Sequence, residues 1–178
     1  MYKYFLGIDI DSDCETLLEH VKNMKLHRSN NRKDLNNGKA PFSCIYGNVK
    51  WSKYSSGRPR PPDPDNPGKY ISKLKEEYPF FEEIIREFTS IYNPNQEYSH
   101  VVINKNFECN PHMDASNVGV SSIIGLGKYG GGLLSIEKNG QEISKDIYHS
   151  FFSFDGSKYI HWVTPFTGER YSLVFYNY

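Results

Sequence analysis

The chain has 178 residues and balances 21 Lys or Arg against 21 Asp or Glu, so a polyanion-binding charge spread over the whole molecule is excluded. Hydrophobic residues make up 38% and Phe, Trp and Tyr 15%, which excludes a disordered tail and suits a β-rich core. Three scattered cysteines, Cys14, Cys44 and Cys109, form no CxxC pair, which argues against a disulfide framework or a cysteine-built zinc site.

This length predicts one domain over residues 1–178. No apolar run reaches the roughly 18 residues of a membrane helix, and the opening MYKYFLGIDIDSD lacks the pattern of a signal peptide. An intracellular setting, no membrane and a monomer are expected. The zero net charge hides an asymmetry. Residues 20–60 hold ten of the 21 basic residues and one of the 21 acidic ones, leaving eleven basic and twenty acidic elsewhere. Such a segment suits phosphates, or pairs with acids elsewhere in the fold.

In chain order, Ser12 and Glu15 read as a capping box opening a helix from about Asp13 to His27, with Leu17, Leu18, Val21 and Met24 on one face. SNNRKDLNNGKAP is a polar loop, FSCIYGNVKW is strand-like, and the prolines of SSGRPRPPDPDNPG exclude regular structure. The stretch KYISKLKEEYPFFEEIIREFTSIY is helical, with Pro79 starting or kinking its second half and Phe81, Ile84, Ile85, Phe88 and Ile91 as an apolar stripe. From Tyr98 the texture becomes short β-branched and aromatic runs separated by turn signals at 130–132, Asn139-Gly140, Asp155-Gly156 and Thr167-Gly168. The expected fold is α+β and mostly β. Residues 98–178 form a double-stranded β-helix, or jelly roll, with helices from residues 1–97 buttressing one sheet.

In NPHMDASNVG, His112 and Asp114 stand two apart, so on an extended strand both side chains share one face and can hold one ion. A third ligand must come from His20, His27, His100, His149 or His161, and His161 in the late strand YIHWVTPF is the best placed. Two imidazoles and a carboxylate on one face of an octahedral ion leave three positions open, as in non-haem Fe(II) oxygenases. Nine residues after His161 comes Arg170, followed by Ser172 on the same face, a fork and a hydroxyl suited to the far carboxylate of 2-oxoglutarate.

With these motifs in hand, NKNFECNPHMDASNVGVSSIIGLGKYGGGLLSI and HWVTPFTGERYSLVFY resemble the Fe(II)- and 2-oxoglutarate-dependent dioxygenases, within them the TET/J-binding-protein branch that oxidises 5-methylpyrimidines in DNA. The resemblance covers about residues 98–178. It implies iron at His112, Asp114 and His161, 2-oxoglutarate at Arg170 and Ser172, and O₂ as oxidant, with ascorbate as a stimulant. It further implies base contacts from Asn117 and Tyr176. Tyr178 stands where TET proteins carry a histidine, which leaves the base open between 5-methylcytosine and thymine.

The cysteine-rich region of TET proteins has no counterpart here. The basic segment is the expected substitute for gripping DNA, flipped or single-stranded, through Lys50, Lys53, Arg58 and Arg60 with Phe42, Tyr46, Trp51 and Tyr54. Asn104 and Asn106 share a strand face as candidates to touch cofactor or substrate, with a backbone-closing role as the alternative for Asn104. His100 and His149 read as surface or packing residues, and Cys109 as a small buried hydrophobe. The alternative function is a prolyl-type protein hydroxylase or a small-molecule hydroxylase, and a third is a non-enzymatic jelly-roll binding module.

Overall fold

The computed structural model describes residues 3–49, 54, 55 and 58–178, without the side chains of 54, 55 and 58. Lys50, Trp51 and Lys53, and the side chains of Tyr54 and Arg58, therefore lie outside the described residues.

Helix α1 (Ile10–Lys22) starts three residues before the expected helix. Its N-cap is Asp9, whose carboxylate accepts the N–H groups of Asp11 (3.3 Å) and Ser12 (3.2 Å). An Asp at that position takes the orphan donors and meets the helix dipole with a full charge, which displaces the Ser12 box. The helix stops at Lys22 rather than His27, because the chain turns to run beside the first strand, where the His27 N–H donates to Cys44 Sγ (3.0 Å). Cys14, Leu17, Leu18 and Val21 form its buried face. Pro79 breaks the second helical region into α2 (Lys73–Glu77), capped by Ser72, and α3 (Phe81–Tyr92). Phe81, Ile84, Ile85 and Phe88 are the buried stripe of α3.

The strands are β1 (Phe42–Tyr46), β2 (Asn48–Val49), β3 (Tyr54–Ser55), β4 (Arg58–Pro59), β5 (Tyr70–Ile71), β6 (His100–Lys105), β7 (Val118–Gly131), β8 (Leu134–Lys138), β9 (Gln141–Lys145), β10 (Phe152–Phe154), β11 (Ile160–Val163) and β12 (Phe166–Asn177). One sheet runs β1-β6-β12-β7-β10 and faces a second, β11-β8-β9, while β2-β5 and β3-β4 are two-stranded. Pairings within the two large sheets are antiparallel. The start of the proline-rich loop thus contributes one two-residue ladder, β3-β4, where no regular structure was expected, too short to be stopped by Pro59. Thr167-Gly168 is not a turn. It lies within β12, opposite Gly130 and Tyr129, and Gly168 at φ 93 brings its backbone so close to the Lys128 carbonyl that a side chain would collide.

The two faces of β12 divide the molecule. Tyr171, Leu173 and Phe175 pack with Val101, Ile103, Ile124 and Leu126 against Leu17, Ile85 and Phe88 of the helices. The alternate residues turn inward, where Val174 packs against a smaller cluster of Ile123, Leu134, Ile136, Ile147 and Phe154 between the sheets. Tyr46 belongs to the outer core as well. It packs edge-on against Phe81 and donates its hydroxyl to the Tyr78 carbonyl (2.9 Å), so it is no base-stacking residue.

Two carboxylates latch the N-terminal segment to the helices. Asp13, only 1% exposed, accepts the N–H groups of Leu6 and Gly7 and the Tyr92 hydroxyl, and Glu87 accepts those of Lys3, Tyr4 and Phe5. Burial alone would raise both pKa values, but these hydrogen bonds outweigh it and hold both carboxyls below their ordinary range. A lowered folded-state value adds stability above the unfolded pKa that is lost as pH falls through the folded one. The urea midpoint should therefore drop on acidification below about pH 4. Asp13→Ala should cost on the order of 3 kcal/mol in urea unfolding and remove part of that acid sensitivity; an unchanged midpoint would refute the latch.

Candidate metal centre and its cavity

His112 is not on a regular strand. It forms an isolated bridge with His161 in β11, its N–H donating to the His161 carbonyl (3.1 Å) and its carbonyl accepting the His161 N–H (2.9 Å). Asp114 follows in a loop, where its N–H donates to the Gly156 carbonyl (2.9 Å) and its carbonyl accepts the Asn117 N–H (2.9 Å). The expected shared face of a strand is replaced by these two anchors, and the outcome for the side chains is the same.

Each imidazole is oriented by a main-chain carbonyl. His112 Nδ1 lies 2.8 Å from the Asn110 oxygen and His161 Nδ1 lies 3.0 Å from the Tyr159 oxygen. A carbonyl only accepts, so both Nδ1 atoms carry the proton and both Nε2 lone pairs are free. His161 Nε2 is 3.4 Å and His112 Nε2 3.7 Å from oxygens of Asp114, and one ligand atom from each residue lies within 4.8 Å of the others. Gly156 closes the wall, where an added Cβ would meet His161 Cε1 at 3.4 Å and Phe154 at 3.3 Å.

The electrostatics favour the metal-binding protonation states. Burial, then the neighbouring His161, lowers the pKa of His112. Burial would raise that of Asp114, but the adjoining His161 ring and the charge of Arg32 pull it below the usual range. Two imidazole Nε2 atoms beside an ionised carboxylate are a donor set suited to a divalent ion such as Fe(II). Cys109 Sγ lies 3.4 Å from His112 Nδ1, but burial pushes its thiol up to about 12, so it stays a neutral packing group as the sequence suggested.

A cavity of about 890 Å³ opens on this triad. It is lined by Asn104, Ser172, Asn117, Tyr176 and Tyr178, and on another side by the half-buried Arg60, whose Nε has no partner. Asn104 donates from Nδ2 to Ser172 Oγ (3.2 Å), while its Oδ1 is buried and unpartnered. Asn106 does not share that face. It takes φ 48 after β6 and accepts the Arg170 N–H on Oδ1 (2.8 Å), so the backbone-closing role falls to Asn106 rather than Asn104.

Arg170 projects from the inner face of β12 like Ser172 and is 1% exposed, yet it does not itself line the cavity. Its guanidinium lies between the rings of Tyr129 (5.4 Å) and Phe166 (5.7 Å), and its Nε and Nη2 have no hydrogen-bond partner. The Tyr129 hydroxyl is buried and unpartnered too. Burial lowers the Arg170 pKa, but a guanidinium of that basicity stays charged, and a buried charge without a counter-ion is costly. Its donors are of the kind that pair with a carboxylate, which fits the chemistry of 2-oxoglutarate.

Sequence reasoning missed two contributors. Arg32 reaches the triad, with Nη2 3.8 Å from Asp114 Oδ1, and Asn110 supplies the carbonyl that orients His112. His100 is buried, hydrogen-bonded through Nε2 to Asn48, and stacked on Tyr176 at 5.3 Å, so it packs as expected but in the cavity wall rather than on the surface. His149 is likewise buried, with Nδ1 2.8 Å from Asp11 Oδ1, and ties α1 to the β-half. Phe42 carries the Arg28 guanidinium at 4.2 Å. No local pattern flags Arg32, because it acts across a long sequence separation, or Asn110, because it acts through its main-chain carbonyl.

No family model matches the sequence, and no curated protein matches it. Solved structures do. NgTET1 in complex with 5mC DNA is similar at a TM-score of 0.56 and 15% identity over 92% of this chain and 68% of that one. An oxidoreductase of the 2OG-Fe(II) oxygenase family from Burkholderia pseudomallei is similar at 0.57 and 15% over 98% and 82%, and a Pseudomonas putida prolyl-4-hydroxylase at 0.50 and 14% over 96% and 87%. At such identities the likeness is one of fold. The chain has the double-stranded β-helix of 2OG-Fe(II) oxygenases, with His112, Asp114 and His161 as its facial triad candidate, and the TET branch is not singled out.

The triad predicts one Fe(II) or Mn(II) per chain by calorimetry. His161→Ala should weaken binding by on the order of 100-fold, and wild-type affinity in that variant would remove His161 from the ligand set.

Proposed function

We propose that this chain is an Fe(II)- and 2-oxoglutarate-dependent dioxygenase that hydroxylates the 5-methyl group of a pyrimidine, 5-methylcytosine or thymine, in DNA. The observation that carries it is the buried Arg170 with two unpartnered nitrogens on the inner face that also presents Ser172, in a chain whose triad offers three free ligand atoms. Bound Fe(II) and 2-oxoglutarate, with O₂, supply the oxidising power for an unactivated C–H bond, giving succinate and CO₂.

The protein's part is placement. His112, Asp114 and His161 hold the ion, and Arg170 takes the distal carboxylate of 2-oxoglutarate. Asn104 Nδ2 donates to Ser172 Oγ, which leaves the Ser172 hydroxyl proton free for that carboxylate. Leu134, Ile123 and Val174 line the cavity with apolar surface and limit water there.

At the substrate end, the Asn117 amide can pair with a base edge. Tyr176 offers a ring stiffened by its stack on His100, and burial pushes its phenol up to about 12, so it remains a neutral donor. Tyr178, edge-on to His100 at 5.8 Å, lines the same cavity and is the residue that bears on base identity. Arg60, and Arg58 beyond the described side chains, would meet phosphates, and a flipped or single-stranded base brings the methyl group to the metal. We read residues 1–178 as one such domain, acting as a monomer inside the cell.

A protein-hydroxylase reading has one specific support, the similarity to a prolyl-4-hydroxylase. The cations Arg28, Arg32, Arg60 and Lys73 around the cavity favour an anionic polymer instead.

Nucleoside mass spectrometry after incubation with Fe(II), 2-oxoglutarate, ascorbate and oligonucleotides carrying 5-methylcytosine or only thymine should detect a hydroxymethyl base. Intact bases alongside succinate made only with a proline peptide would overturn the DNA reading. Arg170→Met should raise the KM for 2-oxoglutarate by roughly 100-fold, the loss of a charge-assisted pair worth about 3 kcal/mol; an unchanged KM would move the carboxylate elsewhere.

A further inference from the structure

Arg32 stands beside the triad with its hydrogen-bonding capacity unspent. It belongs to the short helical turn Asn30–Arg32 in the basic segment, and the strap that follows is tied to the metal-ligand loop through Asn110. The Asn110 N–H donates to the Leu35 carbonyl (2.9 Å) and its Nδ2 to Asn37 Oδ1 (3.1 Å), while its own carbonyl takes the His112 Nδ1 proton (2.8 Å). One residue therefore fixes the strap and an imidazole together.

From that strap Arg32 Nη2 comes within 3.8 Å of Asp114 Oδ1, an ion-pair distance too long for a hydrogen bond. The guanidinium donates no hydrogen bond to any described residue. Its side chain is 32% exposed and lines the cavity. The neighbouring Arg28 is more committed. It lies on the Phe42 ring and donates from Nη1 to the Ala40 carbonyl (2.7 Å). Arg32 and Arg170 thus differ in kind. Arg170 is sealed from solvent, whereas Arg32 is open to a ligand that arrives from outside.

We propose that Arg32 is a substrate-binding residue that grips a phosphate of the polynucleotide next to the base being oxidised. This rests on the nucleic-acid reading above and adds to it the cation that holds the substrate beside the metal. A planar fork with free donors suits two phosphate oxygens, and Asp114 keeps it in place by charge without consuming those donors. The carboxylate of 2-oxoglutarate that lies at the metal offers similar oxyanion chemistry, so the test separates the two.

Calorimetry on the full chain loaded with Mn(II), without oxygen, would compare wild type, Arg32→Gln and Arg32→Lys for binding of Mn(II), 2-oxoglutarate and a short thymine or 5-methylcytosine oligonucleotide. Arg32→Gln should weaken the oligonucleotide about tenfold, lower the salt slope by about one, and leave the other two ligands within about twofold, with partial recovery in Arg32→Lys. Unchanged oligonucleotide binding in Arg32→Gln overturns the proposal. So does a loss that falls on 2-oxoglutarate, which would make Arg32 a cosubstrate anchor, or on Mn(II) alone, which would leave it as a support for Asp114. If wild type binds 2-oxoglutarate but no oligonucleotide, the nucleic-acid reading fails and takes this role with it, an outcome distinct from a defect confined to the variant.

Discussion

The site depends on two backbone hydrogen bonds, those that His112 and His161 exchange at 3.1 and 2.9 Å. They join the loop after β6 to the β11-β8-β9 sheet, and they set two imidazoles 4.3 Å apart, centroid to centroid. Their net strength is modest, about 1 kcal/mol each. What they contribute is position, because ligands separated by 49 residues can meet one ion only if their backbones are locked to each other. Carbonyls of Asn110 and Tyr159 then turn each ring so that Nε2 faces Asp114.

Around that lock, β12 divides the labour. Its outward residues Tyr171, Leu173 and Phe175 bury themselves against the helices, and this face supplies the hydrophobic free energy of the fold. Its inward residues include Arg170 and Ser172, polar groups whose burial between sheets is unfavourable without a ligand. The helical layer thus lets the inner face be chemically specialised, and it holds the Arg170 guanidinium buried with two unpartnered nitrogens. The same alternation gathers Asn104, Ser172 and Tyr176 at one cavity.

Much of the site was legible because its residues stand at short, recognisable spacings: HxD, a later histidine, and RxS near the chain end. The spacing pointed to side chains that do come together, but for a local reason that does not hold, since His112 and Asp114 sit in a loop held by His161 and Gly156 and not on a strand. Local rules misled where two signals competed. Asp9 outbids Ser12 as the cap, and Gly168, which reads as a turn, serves a close approach between β12 and β7. Asn104 keeps its expected place at the cavity while Asn106 leaves that face, because the strand ends at Lys105 and Asn106 turns left-handed.

By itself the sequence determined the β-rich class, the apolar faces of α1 and α3, the free cysteines and the candidate triad of His112, Asp114 and His161, because each follows from composition or from residue spacing. Only the tertiary structure decided that Arg32, from the basic segment, stands 3.8 Å from a candidate metal ligand, that Asn110 links that segment to His112, and that Arg170 lacks partners for two nitrogens. Those are contacts between residues far apart in the chain. No local period records them, because they arise from how the strap, the loop and the two sheets pack together.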